Sequence, residues 1–264
     1  MTTLSQKLRD EYTGLFASCQ ITATRRATVD RAARAVIANQ ARYRAVGDPL
    51  GIPWTVIAAI HNLESSQSFK RHLHNGDPLS ARTVQVPAGR PRDGAPPFTW
   101  EFSAQDALRY EKFDQISDWS LPAALFHIEG YNGWGYRKHH PDVLSPYLWS
   151  FTNQYTSGKY VADGKWSKTA VSEQCGAAAL LRRLAELGQL DLQLDAQAPT
   201  LPQVVRYSMV KPRVRDELAR AMALQEWLNT NLGIFLRVDG ICGEKTSNAW
   251  KSISGAYLPG DPRA

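Results

Sequence analysis

The chain lacks several features that would place a protein in a class at once. It has no apolar run near the roughly 20 residues that cross a bilayer, so stable membrane insertion is not expected. Its first residues, MTTLSQKLRDEYTGLF, have neither the basic start nor the long apolar core of a secretory leader. The protein is therefore expected to begin in the cytoplasm. Cysteine is scarce: Cys19, Cys175 and Cys242 are odd in number and unclustered. Such a set argues against a disulfide framework and shows no zinc-ligand spacing. No metal and no cofactor is expected. There is also no dense Lys/Arg run and no nucleic-acid-binding motif, so nucleic acid is not the expected partner.

What is present is ordinary in bulk. The chain has 264 residues, 43% hydrophobic and 21% charged, as in a globular protein with one large domain or one medium and one small. A net charge of +6 favours polyanionic partners without naming one. The protein is expected to act as a monomer.

The informative stretch is residues 53–90, PWTVIAAIHNLESSQSFKRHLHNGDPLSARTVQVPAGR. Pro53 suits the first turn of a helix. Val56, Ile57, Ile60 and Leu63 recur at helical spacing, and Glu64 follows before SSQS breaks the pattern. The carboxyl group of Glu64 then lies at the C-terminal end of a largely buried helix. The negative end of the helix dipole and partial burial both disfavour its ionised form. Its pKa is expected to rise, as a general acid near neutral pH requires. Asn75-Gly76 and Asp77-Pro78 are turn dipeptides, and β-branched Thr83, Val84 and Val86 predict a short strand over Arg82–Val86.

Elsewhere the periodicity predicts mostly helix: residues 3–17, then a helix from Thr28 or Asp30 to about Tyr43. A third is capped by Ser103 and runs to Phe113. A short one starts at Pro122 and ends near Glu129, and another covers Ala177–Leu187. Residues 87–100 form a proline-rich loop in which Arg90 and Arg92 are available to hold polar groups. GKYVADGK suggests a small hairpin. The block after Glu129 interleaves glycines with Tyr131, Asn132, Trp134 and Tyr136, and Tyr147 follows nearby. Glycines let the backbone approach a ligand, and aromatic faces match the C–H faces of sugars. Asn can both donate to and accept from a sugar hydroxyl or acetamido group. Glu129, also at the end of an apolar helix, is a rival to Glu64. DAQAPTLPQ reads as a linker. After it come an amphipathic helix, ELARAMALQEWLNTNLG, and a turn, VDGICGEKTSNAWKSI, that feeds a last helix.

These patterns carry two resemblances. A helix ending in Glu64, followed by a hairpin with Asp77 and Thr83, resembles the Glu/Asp/Thr triad of phage lysozymes. Five residues separate Asp77 from Thr83, as in that family, but the twelve between Glu64 and Asp77 exceed its spacing. The Tyr131-Asn132 block resembles the cleft motif of lytic transglycosylases and goose-type lysozymes. Val238, Asp239, Gly240, Ile241, Cys242, Gly243, Lys245 and Thr246 resemble the loop of a peptidoglycan-binding module, with Glu244 where that motif has proline.

Together the resemblances imply a mainly α chain. A lysozyme-like α+β domain with a small β-hairpin would cover residues 1–188, a linker 189–215, and a small helical peptidoglycan-binding module 216–264. They imply a muramidase that cleaves the β-1,4 bond between N-acetylmuramic acid and N-acetylglucosamine. Glu64 would be the general acid, with Asp77 and Thr83 positioning water. His74, Asn75, Tyr131, Asn132, Trp134, Tyr136 and Tyr147 would bind the glycan strand. An inverting reaction would place the two carboxyl groups about 6.5–9.5 Å apart. The action would be at the bacterial cell wall, reached through phage lysis or signal-independent export. A lytic transglycosylase and a wall-binding protein without activity are the alternatives, and a chitinase or chitosanase is a more distant one.

Overall fold

The computed structural model describes residues 2–162, 164–192, 205–232 and 236–264. The chain divides into two compact units, Met1–Gln193 and Leu194–Ala264. Among the described residues the structure is mainly helical, with one two-stranded antiparallel hairpin. No described helix is long and apolar enough to cross a membrane.

In the first unit, α1 (Gln6–Ala17), α2 (Arg26–Ala38) and α3 (Gln40–Gly47) precede the central helix α4 (Trp54–Ser65). Then come α5 (Trp100–Tyr110), α6 (Leu121–Tyr131), α7 (Gly135–His139), α8 (Pro146–Trp149), the hairpin β1 (Lys159–Ala162) and β2 (Lys165–Ser167), and α9 (Ala177–Glu186). The hairpin pairs Tyr160 with Trp166. It lies in the GKYVADGK region where the turn chemistry placed one.

The core forms around α4, which packs against α3, α6 and α9. The sequence pattern suggested one apolar face. In the structure every residue of α4 is buried except Glu64. Each large side chain so enclosed, Trp54, Ile57 and Ile60 among them, contributes roughly 1.5–3 kcal/mol of apolar burial. A helix buried all round needs its free N–H groups satisfied from elsewhere. The carboxylate of Asp191 accepts from the N–H groups of Trp54 and Thr55 at 3.0 and 3.4 Å and from the Thr55 hydroxyl. A negative group at that end also complements the helix dipole. Pro53 stands just before the helix, at its N-cap, rather than in its first turn.

Several sequence expectations need correction. The helix expected from Thr28 or Asp30 to Tyr43 is two helices, broken at Asn39. That side chain donates to the Ala35 carbonyl at 2.9 Å and so competes with the helical ladder. The cap of α5 is Thr99, whose hydroxyl accepts from Phe102 N–H, and not Ser103. Ser103 is buried inside that helix and bonds His72 Nδ1 at 2.6 Å. The strand expected over Arg82–Val86 is absent, and the segment is a loop.

The second unit is built on α10 (Arg215–Leu232) and α11 (Glu244–Ser254), with Leu224, Leu228, Cys242, Trp250 and Leu258 in its core. Gln225 organises the Val-Asp-Gly turn. Its Oε1 accepts from Asp239 and Gly240 N–H at 3.0 and 2.8 Å, and its Nε2 donates to the Ile241 carbonyl at 3.1 Å. Gly240 has φ +78° and meets the Leu218 side chain, so the turn has no room for a Cβ. Of the stretch 189–215, Leu192 is buried in the first unit, whereas Val205 and Tyr207 pack on the core of the second. Residues 193–204, which hold all of DAQAPTLPQ, and Gly233, expected to stop α10, lie outside the described residues. Cys19, Cys175 and Cys242 are free and buried.

Candidate active site

Glu64 is the last residue but one of α4 and the one residue of that helix that is not fully buried. Burial, with a smaller contribution from the charge of Glu111, pushes its carboxyl up from an ordinary 4.5 to about 8. At neutral pH it therefore carries its proton. The backbone beyond it is tightly turned: Ser66 and Gln67 have φ of 50° and 64°. Such non-glycine conformations persist where the surroundings over-determine them. Gln67 Nε2 donates to the Asn62 side chain at 3.0 Å and to the Ala32 carbonyl at 3.3 Å. Asn62 in turn donates to the Cys175 carbonyl at 3.0 Å, and Gln174 Nε2 donates to the Leu63 carbonyl. These side chains take up bonding groups at the helix end and hold the turn in place.

Two tyrosines feel the charge of Glu64. Burial, and then the charges of Glu64 and Glu111, raises the Tyr131 hydroxyl well above its usual range. Burial and Glu64 act in the same way on Tyr147. Tyr131 donates to the Leu73 carbonyl at 2.8 Å, which ties the end of α6 to the segment after α4. It also lines a groove of about 560 Å³ together with Glu111, His127, Gly130, Trp134 and Lys138. That volume is in the range of small-ligand clefts. Trp134 lies over Gly130, where an added Cβ would stand 3.0 Å from the indole ring, and packs on Phe126 at 4.7 Å between centroids. The glycine of this block thus serves the seating of an aromatic wall.

The loop after α4 is an anchored framework. Asp77 is buried. Burial works to raise its pKa, but Gln85 and Val84 N–H groups donate to it and hold the carboxyl below the usual range. Both bonds end on Oδ2, at 3.0 and 2.8 Å. The Thr83 hydroxyl donates to the Pro87 carbonyl and accepts from Arg90 N–H at 2.9 Å. Asn75 accepts from Asp77 N–H and donates to the Gln85 carbonyl, both at 3.0 Å. His74 is buried on Asp106 at 2.9 Å. Arg90 binds the same carboxylate through two bonds, at 2.9 and 2.6 Å. Asp77, Thr83 and Asn75 thus spend these groups on the loop itself, while His74 and Arg90 tie it to Asp106 on α5. Gly76, at φ +77°, brings the loop against the helix end: an added Cβ would stand 2.9 Å from the Glu64 carbonyl oxygen.

The remaining candidates separate by burial. Glu129 is 2% exposed and closed in by Tyr12 Oη at 2.5 Å and Arg137 Nε at 3.0 Å, so it joins α6 to α1 and α7. Burial raises its pKa against the pull of Arg137 and Tyr12. Tyr136 is buried in a ring cluster with Tyr147, Tyr160 and Trp166. Asn132 donates to the Ile128 carbonyl at 3.3 Å, at the C-terminal end of α6. Of the residues expected to bind ligand, Tyr131 and Trp134 line one groove, and the charge of Glu64 acts on Tyr131 and Tyr147. Glu111 was not singled out from sequence. It follows α5 as its C-cap, and Lys112 then turns the chain away at φ 61°. A polar residue at a helix end is common, and nothing local marks this one.

No protein-family model, no curated protein and no solved structure matches the chain.

Proposed function

We propose that the first unit is a glycoside-cleaving enzyme of lysozyme-like build that acts on peptidoglycan, at the β-1,4 bond between N-acetylmuramic acid and N-acetylglucosamine. Glu64 is its general acid. The observation that carries this reading is the one side chain that is not fully buried on an otherwise buried helix: a carboxyl group whose pKa is raised to about 8 and whose charge acts on Tyr131, a wall of the aromatic groove that also holds Trp134. A general acid needs to hold its proton at the working pH and to face a cleft where a leaving oxygen can sit. Glu64 donates that proton to the glycosidic oxygen as the bond to the sugar carbon breaks and its electron pair moves to that oxygen; water then adds to that carbon and its released proton restores the acid. The second unit, with its Val-Asp-Gly turn, tethers the enzyme to the wall and raises its local concentration without adding chemistry.

Purified peptidoglycan incubated with the protein should release soluble muropeptides. Glu64→Gln should lower release by roughly 10²–10⁴-fold while sedimentation with the wall is unchanged, since that is what a general acid is worth in rate. Full activity in that variant would remove Glu64 from the mechanism. Retained binding with no release from the unaltered protein would favour a wall-binding protein without activity.

The same experiment tests a second reading. The Thr83 hydroxyl, expected to position water, is occupied by Pro87 and Arg90. A lytic transglycosylase needs one acid/base and no activated water. Mass spectrometry of the products separates the two: reducing-end muropeptides mark hydrolysis, anhydro ends mark transglycosylation.

A further inference from the structure

We propose that the second unit holds a ligand site of its own, a pocket that takes a small amphipathic anion: one carboxylate or phosphate on a short apolar chain. The site does not depend on the glycan-cleaving reading. Its basis is the way one loop borders two cavities. Asp239, Ile241 and Gly243 line a cavity of about 310 Å³, together with Lys245 and Thr246. These include the polar side chains of the motif that resembles a peptidoglycan-binding loop. The residues between them, Gly240 and Cys242, line another cavity, of about 420 Å³. The segment beside the loop divides in the same way: Met209 lines the first cavity, Ser208 and Val210 the second. Ser208 N–H donates to the Cys242 carbonyl at 3.2 Å, which holds segment and loop together. The two cavities share no lining residue, so the second is distinct from the motif's own face.

The lining of the larger cavity sets its ligand. Arg206, Lys211 and Arg220 bring three positive charges to it, against the one negative charge of Glu217. All four side chains are exposed, so each contributes little alone. Gathered at a concave apolar wall, the excess of cations raises the local concentration of anions. That wall is made of Val205, Val210, Pro212 and Ala221. Val210 is 71% exposed, an apolar face open to solvent. The Ser208 hydroxyl keeps it there: it accepts from Val210 N–H at 3.1 Å and donates to the Val210 carbonyl at 2.8 Å. An inorganic anion would leave this apolar wall in water, and an uncharged apolar molecule would gain nothing from the cations. A ligand with an acidic head and an apolar body uses both. The volume is in the range of pockets for small molecules.

The test is a titration of the full-length protein with octanoate and with octyl phosphate, followed by amide NMR. Amides of Ser208, Val210, Ala221, Gly240 and Cys242 should shift, and those of Lys245 and Thr246 should not. Tighter binding of one probe names the preferred head group. Inorganic phosphate and octanol, the head and the chain alone, should each bind at least about tenfold more weakly. Arg206→Glu and Lys211→Glu should each weaken octanoate binding by about three- to tenfold, and Val210→Ser by about threefold. Lys245→Ala should leave it unchanged. If a charge reversal disturbs the fold, Lys211→Gln replaces it, with a loss of about twofold or more. Equal binding of phosphate or octanol, shifts that extend to Lys245 and Thr246, or unchanged affinity in the charge variants would overturn the site. Sedimentation with phosphatidylglycerol vesicles without binding of either probe would mark a lipid-surface contact and likewise end the proposal.

Discussion

At the scale of single residues, Glu64 carries a cost in stability that can be measured without substrate. Its folded pKa of about 8 stands above its ordinary 4.5. The unfolded chain therefore gives up this proton at lower pH than the folded one does. Below pH 4.5 the group is protonated in both states and neutral to folding. As pH rises from about 4.5 to 8 the unfolded state gains the ionised form while the folded state is denied it, and stability falls by up to about 4 kcal/mol. Gln cannot ionise, so Glu64→Gln should be close to the unaltered protein in urea unfolding at pH 4.5 and more stable by a few kcal/mol at pH 8. Equal stability at pH 8 would show that the carboxyl group is not desolvated. Glu64 could be read from sequence because it is the first charge after an apolar run at helical spacing. Glu111 could not. Its meaning depends on α5 and α6 bringing it beside Tyr131, and no pattern local to residues 99–113 encodes that meeting.

At the scale of elements, the loop 72–90 shows how a strand-like pattern is overridden. Thr83, Val84 and Val86 have β propensity, yet no neighbouring strand is needed where side chains satisfy the backbone. Asp77 takes Val84 and Gln85 N–H, and the Thr83 hydroxyl takes Arg90 N–H. Such local bonds compete with ladders, and here they prevail. The same chemistry divided the expected helix at Asn39. The placement of Asp77 leads to a specific outcome. Asp77→Asn removes the charge behind the two bonds that end on Oδ2, so it should cost about 1–2 kcal/mol of stability. Glycan cleavage should fall only modestly, on the order of tenfold, against the far larger loss for Glu64→Gln. A loss as large as that of Glu64→Gln, with stability intact, would return Asp77 to the chemistry. The helices themselves were legible because apolar spacing reports burial directly. What capped them was less so: Asp191, which closes the N-terminus of α4, lies 136 residues beyond Thr55.

At the scale of the whole molecule, each unit carries its own core. The first is closed by α9 and Leu192. The second uses Val205, Tyr207, Leu224 and Trp250 and is pinned at its end by Ser247 and Arg263 on Asp261. Apolar burial is the main favourable term in folding, and among the described residues each core is made of its own unit's side chains. The division was visible in sequence as a loss of periodicity after Gly188. Within the stretch read as a linker, 189–215, Leu192 belongs to the first core while Val205 and Tyr207 pack on the second. A fragment of residues 1–193 should therefore fold cooperatively and cut short soluble glycan strands at the rate of the full chain, since Glu64, Tyr131 and Glu111 all lie within it. On intact wall the same fragment should be slower by about 10–100-fold at low enzyme concentration, because tethering acts on local concentration and not on the barrier. The gap should close as enzyme is added to saturation. A fragment equally slow on soluble strands would mean that the second unit contributes to the reaction itself. A fragment equally fast on wall at every concentration would leave the second unit without a tethering role.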